Sequence, residues 1–304
     1  MDALTLFCPA KINLFLAITG RRDDGFHRLV SVAAPLDWGD ELAIEEAEAG
    51  EFTLTCDDPR VPTGDENLVL KAARAFAVAT KWSGGAHFHL KKTVPMGAGL
   101  GGGSSDAASV LRGLNRLAGE PLAVDALSAL AATIGSDCPL FLQPGPVVMR
   151  GRGEEICRLA TDHAKRLEGQ RLLLVKPDFG VNTAWAYRAM VARAPDAYLP
   201  EPGAEAKLNT WLESSDATVE NLVFNNMEAA VWAKFVALPA LAEGLQREVG
   251  VALHMSGSGS ACFVVLGPDT DESAIRSTVT TAWGPGALIR QVSIVGGELN
   301  LKAD

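Results

Sequence analysis

Residues 95–121 read PMGAGLGGGSSDAASVLRGLNRLAGEP, and two patterns meet in them. Gly97, Gly99, Gly101, Gly102 and Gly103 crowd the first part, leaving a backbone without Cβ atoms that an anion can approach closely. Ala107, Ala108, Leu111, Leu114 and Ala118 then recur at helical spacing, Asp106 suits a first helical turn, and Gly119 with Pro121 supplies a stop. A glycine-rich loop therefore feeds the N-terminus of an amphipathic helix, where unpaired amides and the helix dipole attract phosphate. No Gly-Lys pair occurs, which excludes a Walker A loop. Gly97-x-Gly99-x-x-Gly102 matches the dinucleotide fingerprint literally. Such a unit, however, needs a second strand bearing an acid about 20 residues on, and Glu120 lies instead in a Gly-Glu-Pro turn between helices.

N-terminal to this loop the chain is β-rich. Thr5 to Ile18 alternates, so that Leu6, Cys8, Ala10, Ile12, Leu14, Leu16 and Ile18 are expected on one face, with Phe7, Lys11, Asn13 and Phe15 opposite. Lys11 and Asn13, two residues apart, share a face, either reaching together into a pocket or at an edge where the lysine snorkels to water. Short strands are expected at 42–44 and 52–56, a helix at 67–80 and a strand at 86–92. Beyond the central helix, a second helix at about 124–134 ends in Gly135-Ser136-Asp137-Cys138-Pro139, where Asp137 is either a turn former or a functional carboxylate. A strand at 172–176, helices at 184–194 and 226–249, and strands at 261–266 and 288–295 suggest a second α+β unit, with the boundary in the polar stretch 162–170. Ser256-Gly257-Ser258-Gly259-Ser260 is a further glycine-serine run, either a second backbone nest or a tight turn. His27 follows Gly25-Phe26 in a loop. His87 and His89 share a strand face without ligand partners nearby and read as solvated, and Asp178-Phe179-Gly180 lacks the context of a protein-kinase magnesium motif.

Composition narrows the class. The 304 residues are 48% hydrophobic and 21% charged, so a folded chain is expected rather than a disordered one. A net charge of −10 without a long basic run argues against nucleic acid as a partner. Val249 to Pro268 lacks Asp, Glu, Lys and Arg, but its serines, glycines and His254 make it a poor membrane span. Five scattered cysteines without a CxxC pair and no signal-peptide pattern suit a cytoplasmic protein.

Taken together, Pro9-Ala10-Lys11-Ile12-Asn13-Leu14, the run from Pro95 to Ala108 and the segment 256–260 resemble the three ordered motifs of the GHMP kinase family. The resemblance implies a two-domain α+β fold with the active site in the cleft, an ATP-binding domain over 1–165 and a substrate-side domain over 166–304. Residues 20–27 and 135–139 are similar to the branch of that family that transfers the γ-phosphoryl of ATP to the 2-hydroxyl of a CDP-linked methylerythritol. On that resemblance Asp137 is the catalytic acceptor of the hydroxyl proton, and Lys11 holds this carboxylate ionised and orients the hydroxyl. Asn13 helps position the methylerythritol. Phe26, in place of the tyrosine of many relatives, and His27 hold cytosine, with Tyr187 or else Trp185 as the second stacking ring. Asn67, Pro95, Gly97, Gly99, Leu100, Gly101, Gly102, Gly103, Ser104 and Ser105 hold ATP. Mg2+ accompanies the nucleotide, with Ser105 as a contact and no carboxylate ligand identified. The small-molecule substrate is the partner implied, with no membrane or nucleic acid, for a monomer or homodimer.

Overall fold

A computed structural model describes residues 3–297 of the chain. Strands β1 (Leu4–Arg21), β2 (His27–Ala47) and β3 (Phe52–Cys56) lead to helix α1 (Leu68–Thr80), β4 (Gly85–Lys91), α2 (Gly102–Leu117) and α3 (Val124–Ile134). A short 3-10 helix (Cys138–Leu142), β5 (Val147–Arg150), β6 (Glu155–Arg158), α4 (Thr161–Leu167), β7 (Arg171–Lys176) and α5 (Thr183–Val191) follow. The chain continues through α6 (Glu201–Glu213), α7 (Val219–Leu222), β8 (Phe224–Asn225), α8 (Glu228–Trp232) and α9 (Ala237–Glu248). It then forms β9 (His254–Met255), β10 (Cys262–Val265), α10 (Glu272–Trp283) and β11 (Leu288–Ser293).

The strands form two sheets. Seven strands make the first, in the order β3-β4-β2-β1-β8 with β5 on β2 and β6 on β5; the second runs β11-β7-β10-β9. Antiparallel pairing dominates, and the order is not that of a doubly wound dinucleotide fold. Helix α2 lies close on the first sheet, where a Cβ at Gly113 would stand 2.4 Å from Ile44 Cδ1. On the other side of that sheet, Ile12, Leu14, Val32 and Leu36 share a buried cluster with Leu172, Leu174, Phe263 and Val292 of the second sheet.

One expectation for β1 is corrected in a way that makes the site. The pairing of β1 with β2 slips between Pro9 and Lys11 and again between Asn13 and Phe15. The first bulge leaves Leu36, Asp37 and Trp38 of β2 opposite Ala10 alone, the second leaves Leu14 as an extra residue of β1, and across each the β1 side chains change face. Leu6 and Cys8 lie in the core with α1 and α2; Ala10, Ile12 and Leu14 lie in the cluster facing the second sheet; Leu16 and Ile18 return to the first core. Unbroken alternation would have put Lys11 and Asn13 on the face away from α2. The two bulges turn them toward it.

Other differences are local. His27 begins β2 and is buried rather than lying in a loop. The stretch 226–249 is two helices, α8 and α9, not one, and α6 was not foreseen. Asp106 lies a turn inside α2, not in its first turn. His87 and His89 bond Thr53 and Thr55 across to β3, with His89 also 3.4 Å from Glu45, as the solvated-face reading expects. No group of three potential metal-ligating side chains is found among the described residues. Nor is any helix there long and apolar enough to cross a membrane.

Candidate active site

A cavity of about 1240 Å³ opens where β1, the glycine-rich loop, α5 and the segment 256–260 meet. Lys11 and Asn13 enter it from between the bulges, 5% and 7% exposed. Lys11 Nζ donates to Asn13 Oδ1 at 2.6 Å and lies 3.5 Å from Asp137 Oδ2. The amide of Asn13 has a fixed orientation: Ser31 Oγ donates to the Phe15 carbonyl at 2.6 Å, leaving its oxygen to accept Asn13 Nδ2 at 2.9 Å. Oδ1 must then face the ammonium. Asp137, at the turn from α3 into the 3-10 helix, is half-exposed to the cavity, open to a ligand hydroxyl.

The glycine-rich loop needs its glycines for stated reasons. Gly97, Gly99 and Gly101 have φ of 63°, 79° and 72°, a region that side chains other than hydrogen disfavour. A Cβ at Gly99 would stand 2.3 Å from the Ser256 carbonyl oxygen, and one at Gly101 2.8 Å from Phe141 and 2.9 Å from Lys11. Lys11 N donates to the Leu100 carbonyl at 2.9 Å, so loop and strand are tied together directly. No side chain caps α2 at Gly101, and Gly102, Gly103 and Ser104 of its first turn, whose amides have no partner within the helix, line the cavity.

Beneath the loop Lys92 Nζ is held by Asp40 and, at 2.8 Å, by Asp106 Oδ2, all three nearly fully buried. Asp40 Oδ1 also accepts Thr93 N at 2.5 Å and Val94 N at 2.7 Å. Burial pushes the Asp106 carboxyl up to about 7 against the pull of Lys92. Neither Lys92 nor Asp40 figured in the sequence reading. The signal was a lysine three residues before Pro95, next to the buried Val94 and the glycine-rich loop.

Toward the other end, the His27 ring lies 4.8 Å from that of Tyr187, tilted by 32°, and its Nε2 is 3.2 Å from Tyr198 Oη. Burial, with the Arg21 charge, holds its imidazole below the usual histidine range, so it is neutral at physiological pH. Phe26 is 52% exposed beneath the Arg152 guanidinium. Trp185 packs edge-on against Phe235 at 5.3 Å and does not line the cavity, whereas Tyr187 does. Arg21, Arg152 and Arg188 also line it, and sequence reasoning missed all three. Among the described residues Arg21 and Arg188 have no ion pair or side-chain hydrogen bond.

Of the expected site residues, Lys11, Asn13, Phe26, His27, Asn67, Pro95, Gly97, Gly99, Leu100, Gly101, Gly102, Gly103, Ser104, Asp137 and Tyr187 all line this one cavity. Asn67 does so while capping α1, its Oδ1 accepting Val69 N at 2.9 Å. Ser105 does not line it: the residue is fully buried with an unpartnered hydroxyl. The segment 256–260 is a strap rather than a second open nest. Ser256 Oγ accepts Asn13 N at 3.2 Å and donates to the Gly99 carbonyl at 3.1 Å, while Ala261 N donates to the Ala98 carbonyl at 3.0 Å.

Comparison with known proteins agrees with this geometry. Residues 67–145 match the model of the GHMP kinases N terminal domain. A 4-diphosphocytidyl-2-C-methyl-D-erythritol kinase of Methylacidiphilum infernorum (isolate V4) is 38% identical over 95% of this chain and 96% of its own. One of Synechococcus sp. (strain CC9902) is 37% identical over 88% and 89%. A crystal structure of 4-(cytidine 5'-diphospho)-2C-methyl-D-erythritol kinase superposes with a TM-score of 0.73 at 34% identity, covering 95% of this chain and 99% of that one. A homoserine kinase from Cytophaga hutchinsonii, 16% identical with a TM-score of 0.72 over 98% of this chain and 96% of its own, shares the fold alone. With that similarity running over nearly its whole length, the chain belongs to the 4-diphosphocytidyl-2-C-methyl-D-erythritol kinase family of GHMP kinases.

Proposed function

We propose that this protein transfers the γ-phosphoryl group of ATP to the 2-hydroxyl of 4-diphosphocytidyl-2-C-methyl-D-erythritol, as a cytoplasmic enzyme of isoprenoid precursor synthesis. The observation that carries the reading is the Lys11–Asp137 pair, 3.5 Å apart, in the same cavity as the uncapped N-terminus of α2. The α2 amides and the loop from Gly97 to Ser104 hold the triphosphate. The Asp137 carboxylate accepts the proton of the attacking hydroxyl, and Lys11 stabilises that carboxylate and the charge on the transferred group. Asn13 fixes the ammonium. Magnesium neutralises phosphate charge in such transfers and is held largely by the nucleotide itself. The donors here suit that arrangement: Ser104 and Asp137 face the cavity and no preformed cage of three ligands exists among the described residues. Ser105, fully buried and not lining the cavity, gives way to Ser104 as the contact in this reading.

The acceptor end supports a cytidine diphosphate. Phe26, the neutral His27 and Tyr187 offer stacking faces and a hydrogen-bonding edge to a pyrimidine. Arg21 and Arg188, cations without an ion pair or side-chain hydrogen bond among the described residues, suit a diphosphate in a protein whose net charge is −10. The same reading assigns ATP to residues 1–165 and the acceptor side to 166–304, with Asn13, Phe26 and His27 contributed across the cleft. Five free cysteines, three of them buried, suit a reducing cytoplasm.

ADP release tests the reading across a panel of alcohols. Turnover is expected with the cytidine-diphosphate-linked acceptor and at least about 10²-fold lower kcat/KM with methylerythritol phosphate, mevalonate or homoserine, a difference of about 2.7 kcal/mol. Equal turnover of methylerythritol phosphate would refute the assignment of Phe26, His27 and Tyr187.

A further inference from the structure

The strap 256–260 contains only serine and glycine, with Gly257 and Gly259 at φ of 59° and 79°, and its own side chains hold it only through the hydroxyls of Ser256, of Ser258 on Thr183 and of Ser260 on the Phe179 carbonyl. Yet it sets the spacing between the two halves of the reaction. Through Ser256 it binds the backbone of Asn13, beside Lys11, and the carbonyl of Gly99, in the phosphate loop. Its shape is also set from behind. Asn225, buried at the end of β8, donates from Nδ2 to the carbonyls of Met255 at 2.8 Å and Gly257 at 2.9 Å. Its Oδ1 accepts Met227 N at 2.9 Å, which fixes the amide in that orientation. Glu228 Oε1 accepts Met255 N at 2.7 Å from the other side. Strand β8 itself pairs with β1 at Phe15 and Leu16, just past the second bulge, so the clamp shares a frame with Lys11 and Asn13. Neither Asn225 nor Glu228 lines the cavity.

We propose that Asn225 and Glu228 are positioning residues for phosphoryl transfer: they hold residues 255–257 in the one shape that aligns the phosphate loop with the Lys11–Asp137 couple. The proposal rests on the transfer reading given above. Its consequence is a split between binding and chemistry. Each substrate meets its own groups with or without the clamp, whereas transfer requires both to be in line, and a misplacement of about 1 Å costs about 10²-fold in rate.

The experiment compares wild type with Asn225→Asp, Asn225→Ala, Glu228→Ala and Glu228→Gln, measuring kcat, both KM values and the ADP formed per phosphorylated acceptor. Asn225→Asp turns the donor into an oxygen against two carbonyls, and Asn225→Ala removes it without leaving a charge. Expected is a fall in kcat of about 10²-fold for both, KM values within about threefold, and more ADP per product as misaligned ATP goes to water. Glu228→Gln keeps the acceptor for Met255 N and restores most of the turnover that Glu228→Ala loses. A folded Asn225→Ala protein with wild-type kcat and wild-type coupling overturns the clamp. So does a loss that simply follows the fraction of unfolded protein at every temperature. Wild type inactive on the cytidine-diphosphate-linked acceptor would instead overturn the function proposed above.

Discussion

Lys11 shows how much one side chain depends on its neighbours' hydrogen-bond arithmetic. An ammonium has three donors. One is given to Asn13 and one is directed at Asp137, so one remains for a ligand oxygen. Arginine could not substitute: its longer side chain and planar fork do not reproduce the 2.6 Å contact with Asn13. The Lys92 cluster carries a different consequence. Two carboxylates share one buried cation, and burial pushes Asp106 up to about 7, with the Lys92 charge opposing and Asp40 adding to the rise. A carboxyl raised above its unfolded value of about 4 takes up a proton on folding. Its contribution is therefore most favourable on the acid side and is lost as pH rises through about 7. Asp106→Asn, which mimics the protonated form, is expected to raise Tm at pH 8 relative to wild type and to flatten the change in Tm between pH 6 and 8. Thermal unfolding at the two pH values checks this; a steeper dependence in the variant would refute it. Lys92→Met, which strands both carboxylates, is expected to cost about 3–5 kcal/mol in denaturant unfolding.

At the scale of elements, the glycine-rich loop and α2 were legible because a period of three to four residues and a glycine cluster are local signals. The i, i+2 spacing of Lys11 and Asn13 was legible as a shared face, but which face was not. That was decided by two bulges whose cause lies in the pairing with β2, outside any local pattern. The break between α8 and α9 had a signal that periodicity hid: Pro239 stands in the first turn of α9, where its missing N–H is harmless and a helix interior would not accept it. Asn225 and Glu228 gave none, since β8 is two residues long and its role comes from loops 30 residues away. Gly101→Ala brings these local rules to a test. The substitution forces φ of 72° on a residue with a Cβ and drives that atom against Phe141 and Lys11. A loss of at least about 1–3 kcal/mol in stability is expected, together with a raised KM for ATP, read by unfolding and by steady-state kinetics. A variant as stable and as avid as wild type would refute the steric account of the loop.

For the whole molecule, the design separates two cores with one cavity where their edges meet. The second sheet packs on the face of the first that α2 does not cover, and the strap, α5 and Met227 reach the cavity of the active groups from its side. Ligands held between such parts stabilise the folded chain by mass action. ATP or cytidine diphosphate at 100 times its Kd contributes about 2.7 kcal/mol, a rise of about 5–10 °C in Tm, whereas NADH should give no shift. A rise with NADH alone would restore the dinucleotide reading that the sheet order argues against.

The central claim is that Asp137, beside Lys11, takes the proton of the attacking alcohol. Steady-state turnover of Asp137→Asn with ATP and the cytidine-diphosphate-linked acceptor tests it most directly. A fall in kcat of about 10²–10⁴-fold with KM for ATP unchanged is expected; turnover equal to wild type would contradict the account.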